Sequence, residues 1–342
     1  MKSPAARYPA LGSSLAGLLL FALSATAARP APAHEMYLCA SMSGTFVIGA
    51  KVPRLNGVYR SPDREEIVHV GFNHPRIDAL AADPRDPQVL YTAGLNGVMR
   101  SLDAGRSWRI MTSWDMTEPK DLAIDPHQPD RVYIALPDGI GVSEDRGQSW
   151  QRRQEGITRP YTQAIAIDRS QPGRVLAGTE LGVYLTEDGA HTWRKVLGTE
   201  ATVNDVQQSP HDPARYLAVT QSDGAWESSD HGRTWQRLRE IPRDRTLHNL
   251  TFDPAKPGRV AICGWGIGIR VTEDGGRTWE DRTAGLPNAN IWNVAADPDV
   301  AGRLYASPHE SPVYVSDDFG RNWRAHWFEG ATVWDVTFVP RR

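Results

Sequence analysis

The segment TEDGGRTW (Thr272 to Trp279) is an acidic, glycine-containing stretch that ends on a tryptophan. Five other segments repeat its Ser/Thr, Asp and Trp positions. They are SLDAGRSW (101–108), SEDRGQSW (143–150), TEDGAHTW (186–193), SSDHGRTW (228–235) and SDDFGRNW (316–323). The tryptophans recur every 42 to 44 residues, and a decayed copy, SPDREEIV, begins at Ser61. A period in the low forties predicts a repeat architecture built from one small supersecondary unit.

The rest of each unit repeats as well. In DLAIDPHQPDRVYIALPDGIGVSEDRGQSWQRR (121–153), four short strand-like stretches are separated by an Asp-Pro step, a glycine turn and the acidic turn. Four short strands joined by tight turns form one blade of a β-propeller. The predicted fold class is therefore all-β, a propeller with four antiparallel strands in each blade.

The two ends of the chain supply the parts of one more blade. Six complete units run from 78 to 327, and the chain finishes with a lone first-strand pattern, DVTFVP (335–340). FVIGAKVPRLNGVYRSPDREEIVHVG (46–71) has the pattern of strands two to four. Pairing of the C-terminal strand with these N-terminal strands would remove the free sheet edges. We therefore predict a single domain over 34–342, a monomeric seven-bladed propeller whose ring this pairing closes.

Residues 1–33 have the pattern of a secretory signal peptide. Lys2 and Arg7 precede the apolar stretch LAGLLLFALSATA, and small residues allow cleavage after Ala27 or Ala33. No other stretch of the sequence is apolar for long enough to span a membrane. We therefore expect an exported protein, periplasmic or extracellular. Removal of 1–33 moves the formal charge from −3 to −6, and an acidic protein is a poor match for nucleic acid.

The repeated turn is the Asp-box, or BNR repeat, and the chain after residue 33 resembles Asp-box propellers. This superfamily includes sialidases, two-propeller xyloglucanases, the sortilin ectodomain and photosystem II assembly factors, and the layout here is most similar to the last. The resemblance implies that the turn lies on the outer rim, away from the ligand face. There the Asp accepts backbone N–H bonds and the Trp packs between blades. The residues concerned are Asp103, Asp145, Asp188, Asp230, Asp274, Asp318, Trp108, Trp150, Trp193, Trp235, Trp279 and Trp323.

Function is expected where the units differ, on the face from which the chain enters the innermost strands, here called the entrance face. The fifth residue before the Asp of the Asp-Pro step differs from unit to unit. It is Asp78, Lys120, Gln163, Asn204, His248, Trp292 or Trp334. A mostly polar position follows it, and then a constantly apolar one. Aromatic side chains beside polar groups suit a protein segment or a glycan. The predicted ligand-binding residues are Lys120, Tyr161, His248, Trp265, Trp292 and Trp334. The alternative is that these residues only hydrate the channel mouth.

Catalysis on the same face is another alternative. Asp121, Asp205, Asp335 and Glu310 are candidate carboxylates for a glycoside hydrolase of the sialidase or xyloglucanase kind. The sialidase F/Y-R-I-P motif is absent from the sequence, and the xyloglucanases have two propellers where this chain has one. We therefore expect a non-catalytic binding or assembly protein with a protein or glycan partner, no cofactor and no metal. A third possibility is a purely structural propeller whose entrance face binds no specific ligand. Whether Cys39 and Cys263 are bonded stays open.

Overall fold

The computed structural model describes residues 31–42 and 55–341 of the 342-residue chain. Within these ranges the ordered elements are strands joined by turns, so the all-β prediction is confirmed. No helix in the described part of the chain is long and apolar enough to cross a membrane. Most of the predicted signal peptide, including the possible cleavage position at Ala27, lies outside the described residues.

Twenty-seven strands occur in the described ranges. The first nine are β1 (His34–Met42), β2 (Gly57–Ser61), β3 (Val68–Val70), β4 (Ile77–Asp83), β5 (Asp86–Gly94), β6 (Gly97–Ser101), β7 (Arg109–Ile110), β8 (Asp121–Ile124) and β9 (Val132–Leu136). The next nine are β10 (Gly139–Ser143), β11 (Gln151–Arg152), β12 (Thr162–Ile167), β13 (Val175–Thr179), β14 (Gly182–Thr186), β15 (Arg194–Gly198), β16 (Val203–Gln208), β17 (Tyr216–Thr220) and β18 (Ala225–Ser228). The last nine are β19 (Gln236–Arg237), β20 (Thr246–Phe252), β21 (Val260–Trp265), β22 (Gly268–Thr272), β23 (Glu280–Asp281), β24 (Ile291–Ala296), β25 (Leu304–Pro308), β26 (Ser311–Ser316) and β27 (Arg324–Pro340).

Most strands form four-stranded antiparallel sheets. In the described chain there are five of these, β4–β7, β8–β11, β12–β15, β16–β19 and β20–β23. The other seven strands form one sheet of order β24-β25-β26-β27-β1-β2-β3. The 17-residue β27 pairs with β26 near Trp327 and with β1 from Ala331 to Pro340. One long strand thus ends one four-stranded group and begins the next.

The position of the second strand in the N-terminal group differs from the prediction. Sequence patterns placed it within 46–71, whereas β1 (His34–Met42) lies beside β27 and β2. Residues 43–54, which include FVIGA, lie outside the described residues. A prediction from alternating polar and apolar residues misses β1, because β1 has neighbours on both edges and is buried along most of its length. Such a strand lacks the period of two that marks a half-exposed one.

The core lies between neighbouring groups of strands. The described residues form seven hydrophobic clusters, and each combines side chains from two successive four-stranded groups. One of them joins Tyr37 of β1 to Leu80 of β4 and Leu90 of β5, and so links the N-terminal strands to the next sheet. Cys39 and Cys263 are buried in different clusters and are both free thiols. They are therefore not bonded to each other.

The Asp-box turns share one set of hydrogen bonds. In the turn of Thr272 to Trp279, Thr272 Oγ1 donates to Asp274 Oδ1 at 2.8 Å and accepts from Gly276 N at 2.8 Å. Asp274 also accepts from the backbone N–H of Thr278 at 3.0 Å and from its hydroxyl at 2.7 Å. The bonds from Thr278 hold the pKa of Asp274 well below its usual range. The carboxylate thus satisfies the donors of its own turn, and each Asp-box Trp packs in one of six inter-sheet clusters.

Candidate functional site

A cavity of about 740 Å³ opens where the chain enters the innermost strands. Its lining includes the variable position of every unit, namely Asp78, Lys120, Gln163, Asn204, His248, Trp292 and Trp334. The polar position that follows also lines it, through Asp121, Asp205, Asn249, Asn293 and Asp335. The next position is apolar and buried, as at Leu122 and Val294. Alternation along a regular strand would send consecutive residues to opposite sides, but the pairing register shifts at the variable position, between Leu247 and Asn249 and again between Ile291 and Asn293. Such a bulge re-aims a side chain, so both consecutive residues reach the cavity.

One side of the cavity is lined by the aromatic rings of His248, Trp292 and Trp334, and the rings of Trp265 and His309 pack against Trp292 beside the lining. These five residues are called the aromatic wall. The Trp292 ring lies 4.5 Å from His248 and 5.0 Å from Trp334 between centroids. Trp265 contacts Trp292 at 5.3 Å and is 37% exposed, beside the cavity lining rather than within it. Burial lowers the pKa of His248 to about 4, so its imidazole is neutral near pH 7 and packs as an aromatic ring.

Hydrogen bonds from the indole groups fix this wall. Trp292 Nε1 donates to His309 Nδ1 at 3.1 Å, and Trp334 Nε1 donates to Ser41 Oγ at 3.0 Å. Because each indole N–H has a hydrogen-bond partner, the ring faces are available for apolar contacts. The wall is therefore preorganised, which lowers the entropic cost of binding.

The rest of the cavity lining is mostly polar. Arg76 pairs with Asp78 at 2.6 Å, and its guanidinium lies 4.2 Å from the centroid of the Trp334 ring. Lys120 Nζ lies 3.4 Å from Glu118 Oε2. Tyr161 donates its hydroxyl hydrogen to Gln163 Oε1 at 2.8 Å. Both cations of the lining are thus paired with a carboxylate.

The cavity floor contains three carboxylates, Asp121, Asp205 and Asp335, which are called the floor carboxylates below. Each accepts a backbone N–H from the innermost strand of the next group. The pairs are Asp121 with Ile165 at 2.8 Å, Asp205 with Leu250 at 3.0 Å and Asp335 with Leu80 at 2.9 Å. These amides lie on the free edge of a sheet and would otherwise lack a protein partner. Each floor carboxylate therefore ties one group of strands to the next.

The environment of the floor carboxylates opposes their ionisation. Desolvation at the cavity floor raises the pKa of Asp121 to about 7 and that of Asp205 to about 6. Desolvation also raises the pKa of Asp335. Repulsion among the three adds to the shift at Asp121 and Asp205. Among the described residues, no Lys or Arg forms an ion pair with any of them.

Replacing Asp121, Asp205 and Asp335 together by Asn is expected to raise the thermal unfolding midpoint by a few degrees at pH 8 and to change it little at pH 4. The folded-state pKa of these acids exceeds the unfolded value of about 3.9, so their contribution to stability falls as the pH rises from about 4 to 7. Asn keeps the hydrogen-bond acceptor and removes the charge. Midpoints of both proteins at the two pH values test this, and an equal difference at both would refute it.

Two of the predicted residues lie apart from the cavity lining. Glu310 is 68% exposed at its side chain, and its Oε1 lies 3.9 Å from His309 Nε2. Trp265 reaches the site only through its ring contacts with His248, Trp292 and His309. Sequence reasoning missed Arg76, which precedes the strand position used for the alignment. Its proximity in sequence to Asp78 was the only available signal.

The Asp-box residues lie away from the cavity, since none of the six Asp or six Trp side chains is among its described lining residues. The described part of the chain also lacks any group of three His, Cys, Asp or Glu side chains that could hold a metal ion. The described lining of the site includes His248, Trp292 and Trp334 of the aromatic wall, the paired cations Arg76 and Lys120, and the floor carboxylates.

The sheets and their repeated turns define the chain as a propeller of the Asp-box, or BNR, kind. The family model of the photosynthesis system II assembly factor YCF48 matches residues 77–333. This chain belongs to that family. No curated protein matches it by sequence.

Three solved structures are similar in fold. YCF48 bound to a D1 peptide has a TM-score of 0.58 at 17% identity, over 77% of this chain and 92% of that one. YCF48 from Cyanidioschyzon merolae has a TM-score of 0.58 at 17% identity, over 77% and 93%. An ancestral GH74 enzyme has a TM-score of 0.62 at 17% identity, over 73% of this chain and 38% of that one. The chain thus spans well under half of the GH74 enzyme, and at these identities the likeness is one of fold.

Proposed function

We propose that the protein is an exported, non-catalytic binding or assembly propeller that engages a segment of a partner protein at the cavity on its entrance face. The observation that carries this proposal is the preorganised aromatic wall, in which His248, Trp292 and Trp334 line the cavity from three successive innermost strands. Family membership supports a protein partner, because one solved YCF48 structure holds a D1 peptide. The signal-peptide pattern of residues 1–33 supports export.

We infer that the strands form a closed ring of seven blades. The innermost strands contact one another in the order β4, β8, β12, β16, β20, β24 and β27, and β27 contacts β4. Seven clusters between successive groups, counted over the described residues, match a ring in which each blade has two neighbours. Closure supports the function because a ring holds the rim residues of all seven blades at fixed positions.

The floor carboxylates argue against a hydrolase. A glycosidase needs one carboxylate as acid and a second as base or nucleophile. Here the backbone N–H bonds that Asp121, Asp205 and Asp335 accept from the next blade give each of them a role as a tie between blades, which requires no pairing of an acid with a base. Glu310, the remaining candidate, lies outside the cavity lining. The binding function therefore accounts for the site better than glycoside hydrolysis.

The double substitution Trp292→Ala with Trp334→Ala is expected to abolish partner binding while the fold persists. The two rings are partly exposed and form the centre of the wall, whereas the inter-blade clusters contain neither of them. A photo-crosslinking residue at Gln221, which lines the cavity and is exposed, should capture one protein from the exported fraction of the source cells. The captured product should disappear in the double variant.

Two controls accompany this experiment. Leu102→Ala with Ile110→Ala removes two exposed apolar side chains outside the cavity lining and should leave capture unchanged. A glycan array is probed with the same proteins. Capture that persists in the double variant, or glycan binding that the double variant loses, would contradict a protein partner at this site.

A further inference from the structure

The hydrogen bonds made by the floor carboxylates do not require a charge. Asn249 occupies the same position of its blade, and its Oδ1 accepts the backbone N–H of Val294 at 2.9 Å. This bond is equivalent to those of Asp121, Asp205 and Asp335. Asp205 Oδ2 also accepts from Gln207 Nε2 at 2.9 Å and from Asn249 Nδ2 at 3.2 Å, and Asp335 Oδ2 accepts from the hydroxyl of Thr337 at 2.8 Å. An amide oxygen serves as the tie between blades at Asn249, so the tie itself does not require the negative charge of the other three positions.

The charge is nevertheless unfavourable in the free protein. Desolvation and mutual repulsion raise the pKa of Asp121 and Asp205, so ionisation of these groups opposes folding at neutral pH. Natural sequences retain such strained groups mainly at functional sites. A ligand that binds to the negative charge would explain why these three positions are Asp and not Asn.

The whole cavity has an excess of acid. Its lining contains five carboxylates, Asp78, Asp121, Glu180, Asp205 and Asp335, and two cations, Arg76 and Lys120. Both cations are paired already, with Asp78 and Glu118. All three floor carboxylates are partly exposed, so a ligand in the cavity reaches them. The cavity is therefore complementary to a cation.

The aromatic wall is suited to the same ligand. The guanidinium of Arg76 already lies 4.2 Å from the centroid of the Trp334 ring, which shows that this wall accepts a cation on a ring face. The stems of Lys and Arg are apolar and pack on aromatic surfaces while the head reaches polar groups. A neutral sugar would also stack on the rings but would leave the floor charge uncompensated.

We propose that the partner protein inserts a Lys or Arg side chain into this cavity, with its stem against Trp292 and Trp334 and its cationic head at the floor carboxylates. This inference rests on the proposed function and specifies the chemistry that the site recognises. A cation at the floor offsets the repulsion among the three carboxylates and forms charge-assisted hydrogen bonds with them. One basic side chain would thus bind to both the aromatic wall and the floor carboxylates.

The test uses random 12-residue peptides displayed on phage and selected on the purified wild-type protein. Selected peptides are expected to share a Lys or Arg, and changing that residue to Gln should weaken binding by about tenfold or more. The same pair of peptides is then measured on the Asp121→Asn, Asp205→Asn, Asp335→Asn triple variant. There the ratio between the basic peptide and its Gln form should fall close to one.

The outcomes separate this inference from the proposed function. Selected peptides that require Trp292 and Trp334 but lack a shared basic residue, or whose Lys/Arg preference survives in the triple variant, would overturn the inference and leave the protein-binding function standing. Selected peptides that bind the Trp292→Ala, Trp334→Ala variant as tightly as wild type would overturn both. If the selection enriched no peptide and the glycan array showed binding, both the inference and the proposed function would be overturned.

Discussion

Replacing Trp193 by alanine is expected to lower the free energy of unfolding by about 3–5 kcal/mol. The side chain is 5% exposed and packs between Tyr133 of one sheet and Tyr184 of the next. Its Nε1 donates to the backbone carbonyl of Arg153 at 2.9 Å. Truncation would leave a cavity between two blades and an unpaired carbonyl, and the rigid strands on either side cannot close the gap. Urea unfolding followed by circular dichroism measures the change.

Trp114→Ala is the matched control, because the Trp114 side chain is 89% exposed. Removing it should change the free energy of unfolding by no more than about 0.5 kcal/mol. Similar losses in the two variants would show that the tryptophan of the repeated turn does not act as a wedge between blades.

Replacing Arg64 by alanine is expected to lower the free energy of unfolding by about 3–5 kcal/mol. Its guanidinium is 3% exposed and bonds to Asp297 Oδ2 at 2.8 Å, to Asp299 Oδ2 at 3.2 Å and to the carbonyl of His34 at 3.0 Å. These contacts join the β2–β3 turn to the loop after β24. Removing the cation would leave the fully buried carboxylate of Asp297 without its ionic partner.

Arg60→Ala is the control for this second prediction. Arg60 also pairs with a carboxylate, Glu35, at 2.6 Å, but its side chain is more exposed and the pair lies within one group of strands. A solvated ion pair contributes about 0–1 kcal/mol. If Arg60→Ala destabilised the protein as much as Arg64→Ala, the buried contact between Arg64 and Asp297 would not contribute more than an exposed ion pair.

Much of the site could be located from the sequence, although its chemistry could not. The position of Lys120, His248 and Trp292 follows from the repeat, because equivalent residues of a repeated unit occupy equivalent places around one axis. The role of Asp121 and Asp205 does not follow, since each bonds to a residue more than forty positions away. A pattern within one unit contains no information about which amide of the next unit needs an acceptor.

The sequence by itself determined the all-β class, the repeated unit and the turn that marks it, because side-chain periodicity and turn residues act over a few positions. Only the tertiary structure decided that β1 (His34–Met42) lies beside β27, and that Glu310 lies outside the cavity lining. It also decided which rings form the aromatic wall and which carboxylates share the floor. These properties depend on distances between blades and on loss of solvent, which arise only when the strands pack together.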